Sequence, residues 1–147
     1  MTEMAFAART ERPLPVPDAD SQPFWDALRD NHLLIQRCSS CSLLRFPPSA
    51  LCHHCRSWDA EWVEVTGGTV QSWVVVEYGV IKSLREQAPY VVALIDLGDG
   101  AQMPSNIYGV PPDELYLGMP VSVRFQEIGG GFTIPVFVSE ESTDAAA

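Results

Sequence analysis

The chain is almost without lysine. Its 147 residues contain one, Lys82, and 9 lysines and arginines stand against 19 aspartates and glutamates, for a formal net charge of -10. A general nucleic-acid binder needs many cations to displace counterions, so this balance argues against one, and equally against a protein resting on an anionic membrane. Long apolar runs are also missing. The longest clean one, Tyr90 to Ile95, is far too short to span a bilayer. Met1 to Arg12 carries Glu3 and Glu11 without a long apolar run, so it does not read as a signal peptide. Catalytic signatures are scarce: there is no G-x-S-x-G and no phosphate-cradling glycine loop. Asp96 and Asp99 flank a turn, where acids are usual, and Glu127 has no visible partner, so no nucleophile–base pair is evident.

What is present is a cysteine pattern. The 4 cysteines form two pairs, Cys38-x-x-Cys41 and Cys52-x-x-Cys55. Each pair folds into a tight knuckle that offers two sulfurs to one metal, and two knuckles complete a tetrahedron around zinc. A redox pair or two disulfides would be the other readings, but two pairs this close favour the metal. Four sulfurs leave no open position for water, so the zinc is expected to be structural. His53 or His54, inside the second knuckle, is the minor alternative ligand. Reduced, metal-type cysteines point to the cytoplasm.

Charge is unevenly placed. Between Asp30 and Asp59 there is no acidic residue, while Arg37, Arg45, Arg56, His32, His53 and His54 all fall there. Two readings stand: the cations offset the negative charge of a zinc held by four thiolates, or they form a local surface that faces an anion or a partner.

The pattern predicts a mainly β protein in four segments: a flexible leader (1–20), an N-terminal helix with a rubredoxin-like zinc ribbon (21–59), a five-stranded OB-fold barrel (60–138) and an acidic flexible tail (139–147). Ser21 is the expected cap of a helix over Gln22 to Asp30, with Pro23 in its first turn and Phe24, Trp25 and Leu28 as its apolar side. Leu33 to Arg37 reads as a strand feeding the first knuckle. Trp62 to Tyr78 reads as one long strand bent by a bulge at Gly67-Gly68. Gly98-Asp99-Gly100 closes a hairpin between Tyr90–Leu97 and Ala101–Tyr108. Pro111 to Tyr116 is at most a helical turn. Pro120–Ile128 and Phe132–Val138 form a last hairpin around Gly129-Gly130-Gly131.

Barrels of this type often bind oligonucleotides through aromatics on a basic face. Trp62, Trp73, Tyr78 and Tyr90 supply aromatics, but few cations accompany them, and the barrel core and rim account for them as well. The long connection Gly79 to Pro89 stands out. It holds Lys82 and Arg85 beside Val80, Ile81 and Leu84, as a groove for an amphipathic ligand or a lip for a partner would.

One order of motifs is more specific than any of them alone. Phe24-Trp25, Leu33-Leu34-Ile35-Gln36-Arg37-Cys38-x-x-Cys41, Phe46-Pro47-Pro48 and Cys52-x-x-Cys55 are followed by Gly68-Thr69-Val70-Gln71-Ser72-Trp73, Pro89-Tyr90-Val91-Val92 and Gly118-Met119-Pro120-Val121. This order resembles the acyl-CoA-associated zinc-ribbon/OB-fold family, long catalogued as a domain of unknown function, over about residues 22 to 138. The resemblance implies an accessory subunit of a thiolase, a thiolase-like retro-aldolase of steroid side-chain breakdown, or a hydratase. Acyl-CoA would then lie at or near the shared interface. The family often carries Arg after the two prolines, where this chain has Ser49, and Arg45 would compensate. Expected partner-binding or acyl-CoA-facing residues are Phe24, Trp25, Arg45, Phe46, Lys82 and Arg85. No catalysis is expected from the chain alone, and neither nucleic acid nor membrane is an expected partner. A stand-alone acyl-CoA module and an OB-type nucleic-acid binder are the competing readings.

Overall fold

A computed structural model describes residues 12–141. Helix α1 (Gln22–Arg29) leads into β1 (Leu34–Cys38), β2 (Leu44–Arg45) and β3 (Ala60–Glu64), then into the barrel strands β4 (Gly67–Val76), β5 (Tyr90–Gly98), β6 (Ala101–Tyr108), β7 (Pro120–Gly129) and β8 (Phe132–Ser139). A short helix α2 (Lys82–Arg85) sits in the β4–β5 connection, and a 3-10 turn (Pro112–Glu114) in the β6–β7 connection. The first three strands form a sheet in the order β2-β1-β3, and the last five close a barrel in the order β4-β5-β6-β8-β7. This is the mainly β ribbon-and-OB architecture expected from the sequence.

Two expectations about β4 need correction. Trp62 to Tyr78 is not one strand. Ala60–Glu64 pairs with β1 in the ribbon sheet, and the chain changes sheets beyond it. Val65 N–H still donates to Leu33, while Thr66 C=O already accepts from Val123 of the barrel. The ribbon sheet therefore runs on to Glu64. The double glycine is not the bulge either: the register slips between Val70 and Ser72. Gly67 and Gly68 serve close approach instead, since a Cβ on either would strike the carbonyl oxygen of Val121 or Asp96. A double glycine signals special backbone needs but does not say which.

The helix entry also differs. Ser21 makes no side-chain cap bond of its own. Asp18 Oδ1 accepts from the Ser21 amide at 2.8 Å, and Ser21 Oγ accepts from the Asp18 amide at 3.0 Å. That reciprocal pair is a capping box moved one turn upstream. Hydrogen bonding from Ser21, by side chain and then by backbone, holds the Asp18 carboxyl below its ordinary value. Phe24 and Leu28 are buried on the inner side of α1.

Helix α1 joins the two halves. It packs on β1 and β8, while β2 packs on β6. Parallel strands β6 and β8 pair only at Ile107–Phe137 and Tyr108–Val138, so α1 and β2 fill the flank where the barrel strands part. Trp25 meets Phe132 edge-on at 5.8 Å, and Phe24 lies 5.6 Å from Phe46. The Asp99-Gly100 hairpin tip, with positive φ at both residues, also docks on the ribbon. Leu44 N–H donates to Asp99 C=O at 3.0 Å, and Arg37 pairs with the Asp99 carboxylate at 3.3 Å. One apolar core consequently runs from Phe24, Leu28, Leu33, Ile35 and Leu44 into the barrel.

Of the leader, residues 1–11 lie outside the described residues, as do 142–147 of the tail. Arg12 donates to Gln87 at 3.1 Å, and Leu14 lies where a Cβ on Gly130 would stand. The described part of the leader is thus laid against the barrel. At the other end, Ser139 is a buried residue of β8 rather than the start of a tail.

Candidate metal centre and contact surfaces

The two knuckles are built alike. Cys38 N–H donates to Leu43 C=O and Ser42 N–H to Cys38 C=O. Cys52 N–H donates to Ser57 C=O and Arg56 N–H to Cys52 C=O, each at 2.9 Å. Ser42 and Arg56, at matching positions, both take positive φ, 66° and 64°. The repeated turn aims four sulfurs at one point. All four Sγ atoms lie within 4.8 Å of one another. Cys38 and Cys55 sulfurs are 3.5 Å apart, and those of Cys41 and Cys52 are 3.7 Å apart. Zinc–sulfur bonds of about 2.3 Å require tetrahedral edges of about 3.8 Å, so the cage fits the ion.

The electrostatics agree. The amides of Cys55 and His54 point at Cys52 Sγ and draw its pKa down to about 5. The Cys41 amide, followed by that of Ser40, holds Cys38 below the ordinary thiol value. The Leu43 amide favours the thiolate at Cys41, but burial and the three neighbouring sulfurs outweigh it and push Cys41 up to about 12. Donors that stabilise thiolates on two sulfurs make it costly to ionise a third, and a cation shared by all four removes that conflict. His53 and His54 are exposed and outside the sulfur group.

Arg45, expected on an anion-facing surface, is buried at 3% exposure. Its Nε donates to Gln36 Oε1 at 2.8 Å and its Nη2 to Ser49 C=O at 2.9 Å. Gln36 Oε1 also accepts from the Ser49 amide at 2.8 Å. Ser49 is therefore tied to Arg45 through its backbone, and the guanidinium braces the link between the knuckles. Phe24 is buried too, at 4% exposure, so neither residue offers a surface. Trp25 and Phe46 are half-buried against this chain's own aromatics. The pattern of charge and aromatics could not distinguish a braced interior from a docking face.

The other expected contact residues lie in the β4–β5 connection. Lys82 is exposed. Arg85 stacks over Tyr78, 5.1 Å from the ring centroid, and donates to the carbonyls of Gly79 and Val80 at 3.3 Å. Gly79 lies under α2, where a Cβ would stand 2.6 Å from the Leu84 backbone. Tyr78, Val80 and Ile81 project outward at 63%, 84% and 43% exposure. A pocket of about 380 Å³ has walls that include Glu86, Gln87, Pro89, Tyr90, Ile107 and Tyr108. Of the connection, Glu86, Gln87 and Pro89 line this pocket, whereas Val80, Ile81, Lys82, Leu84 and Arg85, which the sequence offered for a groove or a lip, do not.

A thiolate cage fused to an OB barrel defines a class of metal-ribbon barrel proteins. Residues 25–59 match the rubredoxin-like zinc ribbon domain of ChsH2, and residues 62–126 match its C-terminal OB-fold domain. A DUF35 domain-containing scaffold protein from Methanocaldococcus jannaschii is 34% identical over 71% of this chain and 75% of its own length. The chain belongs to this ChsH2/DUF35 family. It is 38% identical to a probable enoyl-CoA hydratase alpha subunit from Thermomonospora curvata, over 86% of the chain but 39% of that protein. It is 33% identical to the 3-oxo-4,17-pregnadiene-20-carboxyl-CoA hydratase alpha subunit of Mycobacterium tuberculosis, over 76% of the chain and 35% of that protein. The chain thus spans little more than a third of these two relatives. Among solved structures, the Ltp2-ChsH2(DUF35) aldolase contains a chain that superposes with a TM-score of 0.76 at 35% identity, covering 86% of this chain and 98% of that one. No helix among the described residues is long and apolar enough to cross a membrane.

Proposed function

We propose that this chain is a non-catalytic, zinc-holding accessory subunit of a thiolase-like or aldolase complex that works on an acyl-CoA in the cytoplasm. One observation carries the reading: nearly the full length of a ChsH2(DUF35) chain from an aldolase superposes on this one. The donor set supports it, since four thiolates satisfy tetrahedral zinc and leave no place for a reacting water. With a net charge of -10, the chain is poorly suited to hold the phosphates of CoA, and the partner supplies most of that site. The groove beside Tyr90 and Tyr108, with Lys82 and Arg85 on the nearby lip, is suited to the acyl or pantetheine part. Co-purification followed by reconstitution tests the proposal. A thiolase-fold subunit is expected to co-purify and to gain turnover of its CoA substrate when this chain is added. Cleavage of a CoA thioester or of a carbon–carbon bond by the isolated chain at an enzyme-like rate contradicts the proposal.

A further inference from the structure

Strand β4 has an outer edge that the barrel covers only in part. Pairing with β7 spans Gly67 to Thr69. Val70 continues it, donating to Met119 C=O at 3.0 Å and accepting from Gly118 N–H at 2.8 Å. Among the described residues, no strand pairs with this edge from Gln71 to Val76, although β5 pairs with the other edge up to Val76. Backbone groups of a strand alternate in direction. Val70 points outward, and the extra residue at the bulge shifts the alternation by one. Trp73 and Val75 therefore turn their N–H and C=O groups to the open side.

An open edge is a template for another strand, and proteins usually blunt it with charge or proline. Here neither protects it. The run Val70–Ile81 contains one charged residue at neutral pH, Glu77, and no proline. Exposed apolar side chains cluster along it. Val74 stands at 60% exposure beside the edge, Tyr78, Val80 and Ile81 at one end, and Tyr116 and Leu117, at 46% and 71%, next to the Gly118–Met119 link at the other. The band is roughly 26 Å long at the usual strand rise. Exposed apolar side chains set along an unpaired strand edge, in an otherwise acidic chain, point to an interface.

We propose that a segment of the partner subunit adds to β4 as an extra strand along Gln71–Val76, with its apolar side chains on this band. This inference rests on the accessory-subunit reading. Charge selects the occupant. A second copy brings another charge of -10 and is repelled, whereas an uncharged or basic extended segment meets no penalty and can pair with Glu77. Main-chain bonds would give affinity, and the exposed valines and tyrosines the fit.

The test uses the full chain and the thiolase-fold subunit that co-purifies with it. Val74→Lys places a charge on the band without touching the core. Val75→Pro removes one outward N–H, a change that edge strands tolerate. Each variant is expected to keep the metal content and melting temperature of the parent and to bind the subunit at least about tenfold more weakly. Amide exchange at Trp73 and Val75 is expected to slow on complex formation. Unchanged affinity in Val74→Lys overturns this inference alone, and so does a self-dimer of the free chain that Val74→Lys dissolves. Failure of any thiolase-fold subunit to bind overturns it together with the function proposed above.

Discussion

The ribbon and the barrel solve the same stability problem in different ways. The barrel has a core of its own, with Ile95, Met103, Val121, Val136 and Phe137 all at 1% exposure or less. The ribbon has a three-stranded sheet with a two-residue edge strand, and its second knuckle exposes His53, His54, Cys55 and Arg56. So little apolar burial is a weak counterweight to the entropy of ordering two loops, and the zinc proposed for the four sulfurs would make up the difference. Yet the halves are not independent. Helix α1 puts Phe24 and Leu28 into the same core as the barrel strands, so loss of the ribbon also exposes a flank of β6 and β8.

The largest break in this contrast comes from the cage. Structural zinc contributes on the order of 10–16 kcal/mol of apparent binding free energy in small fingers. Cys38→Ser is expected to abolish tight zinc binding by elemental analysis and to unfold the ribbon. Because of the shared core, the barrel is expected to survive with a lower melting temperature rather than an unchanged one. The reciprocal change is Phe137→Ala. It opens a cavity at a side chain with 0% exposure and is expected to cost about 3–5 kcal/mol in denaturant unfolding, with one zinc still bound per folded molecule.

Arg45 sharpens the comparison within the ribbon. Removing the guanidinium frees the Ser49 carbonyl and takes one of two donors from Gln36 Oε1. Arg45→Ala is expected to cost about 2–4 kcal/mol and to leave zinc bound, as chelator competition would show. Smallest is the helix entry. Asp18→Ala is expected to lower the melting temperature modestly at neutral pH. The Asp18 carboxyl is depressed in the folded chain, so its contribution is present above the ordinary value of 3.8 and fades as pH falls through the folded value. Melting curves of parent and variant are therefore expected to converge in acid.

Local signals were legible and long-range ones were not. The cysteine spacing foretold the cage because each knuckle is a local turn that needs only its own residues. Gly98-Asp99-Gly100 foretold its hairpin for the same reason. By contrast, nothing within Trp62–Tyr78 says that Val65 bonds to Leu33 while Thr66 bonds to Val123, because a change of sheet depends on distant partners. Arg45 read as a surface cation because arginine is mostly exposed. Only the pairing of Gln36 with Arg45 across β1 and β2 shows why it turns inward. The cap at Asp18 was missed because the helical pattern begins only after it. Trp25 read as an anchor for a partner, and its contact with Phe132, far along the chain, had no local trace.

In this account the proposed zinc holds the ribbon while a core holds the barrel. Residue-resolved NMR during titration with a zinc chelator tests it directly. Signals from Leu34–Glu64 are expected to collapse together as zinc leaves, while those of the β4–β5 pair, Val91–Ile95 above all, stay dispersed. Dispersed ribbon signals after complete zinc removal would contradict the claim, and so would simultaneous collapse of ribbon and barrel.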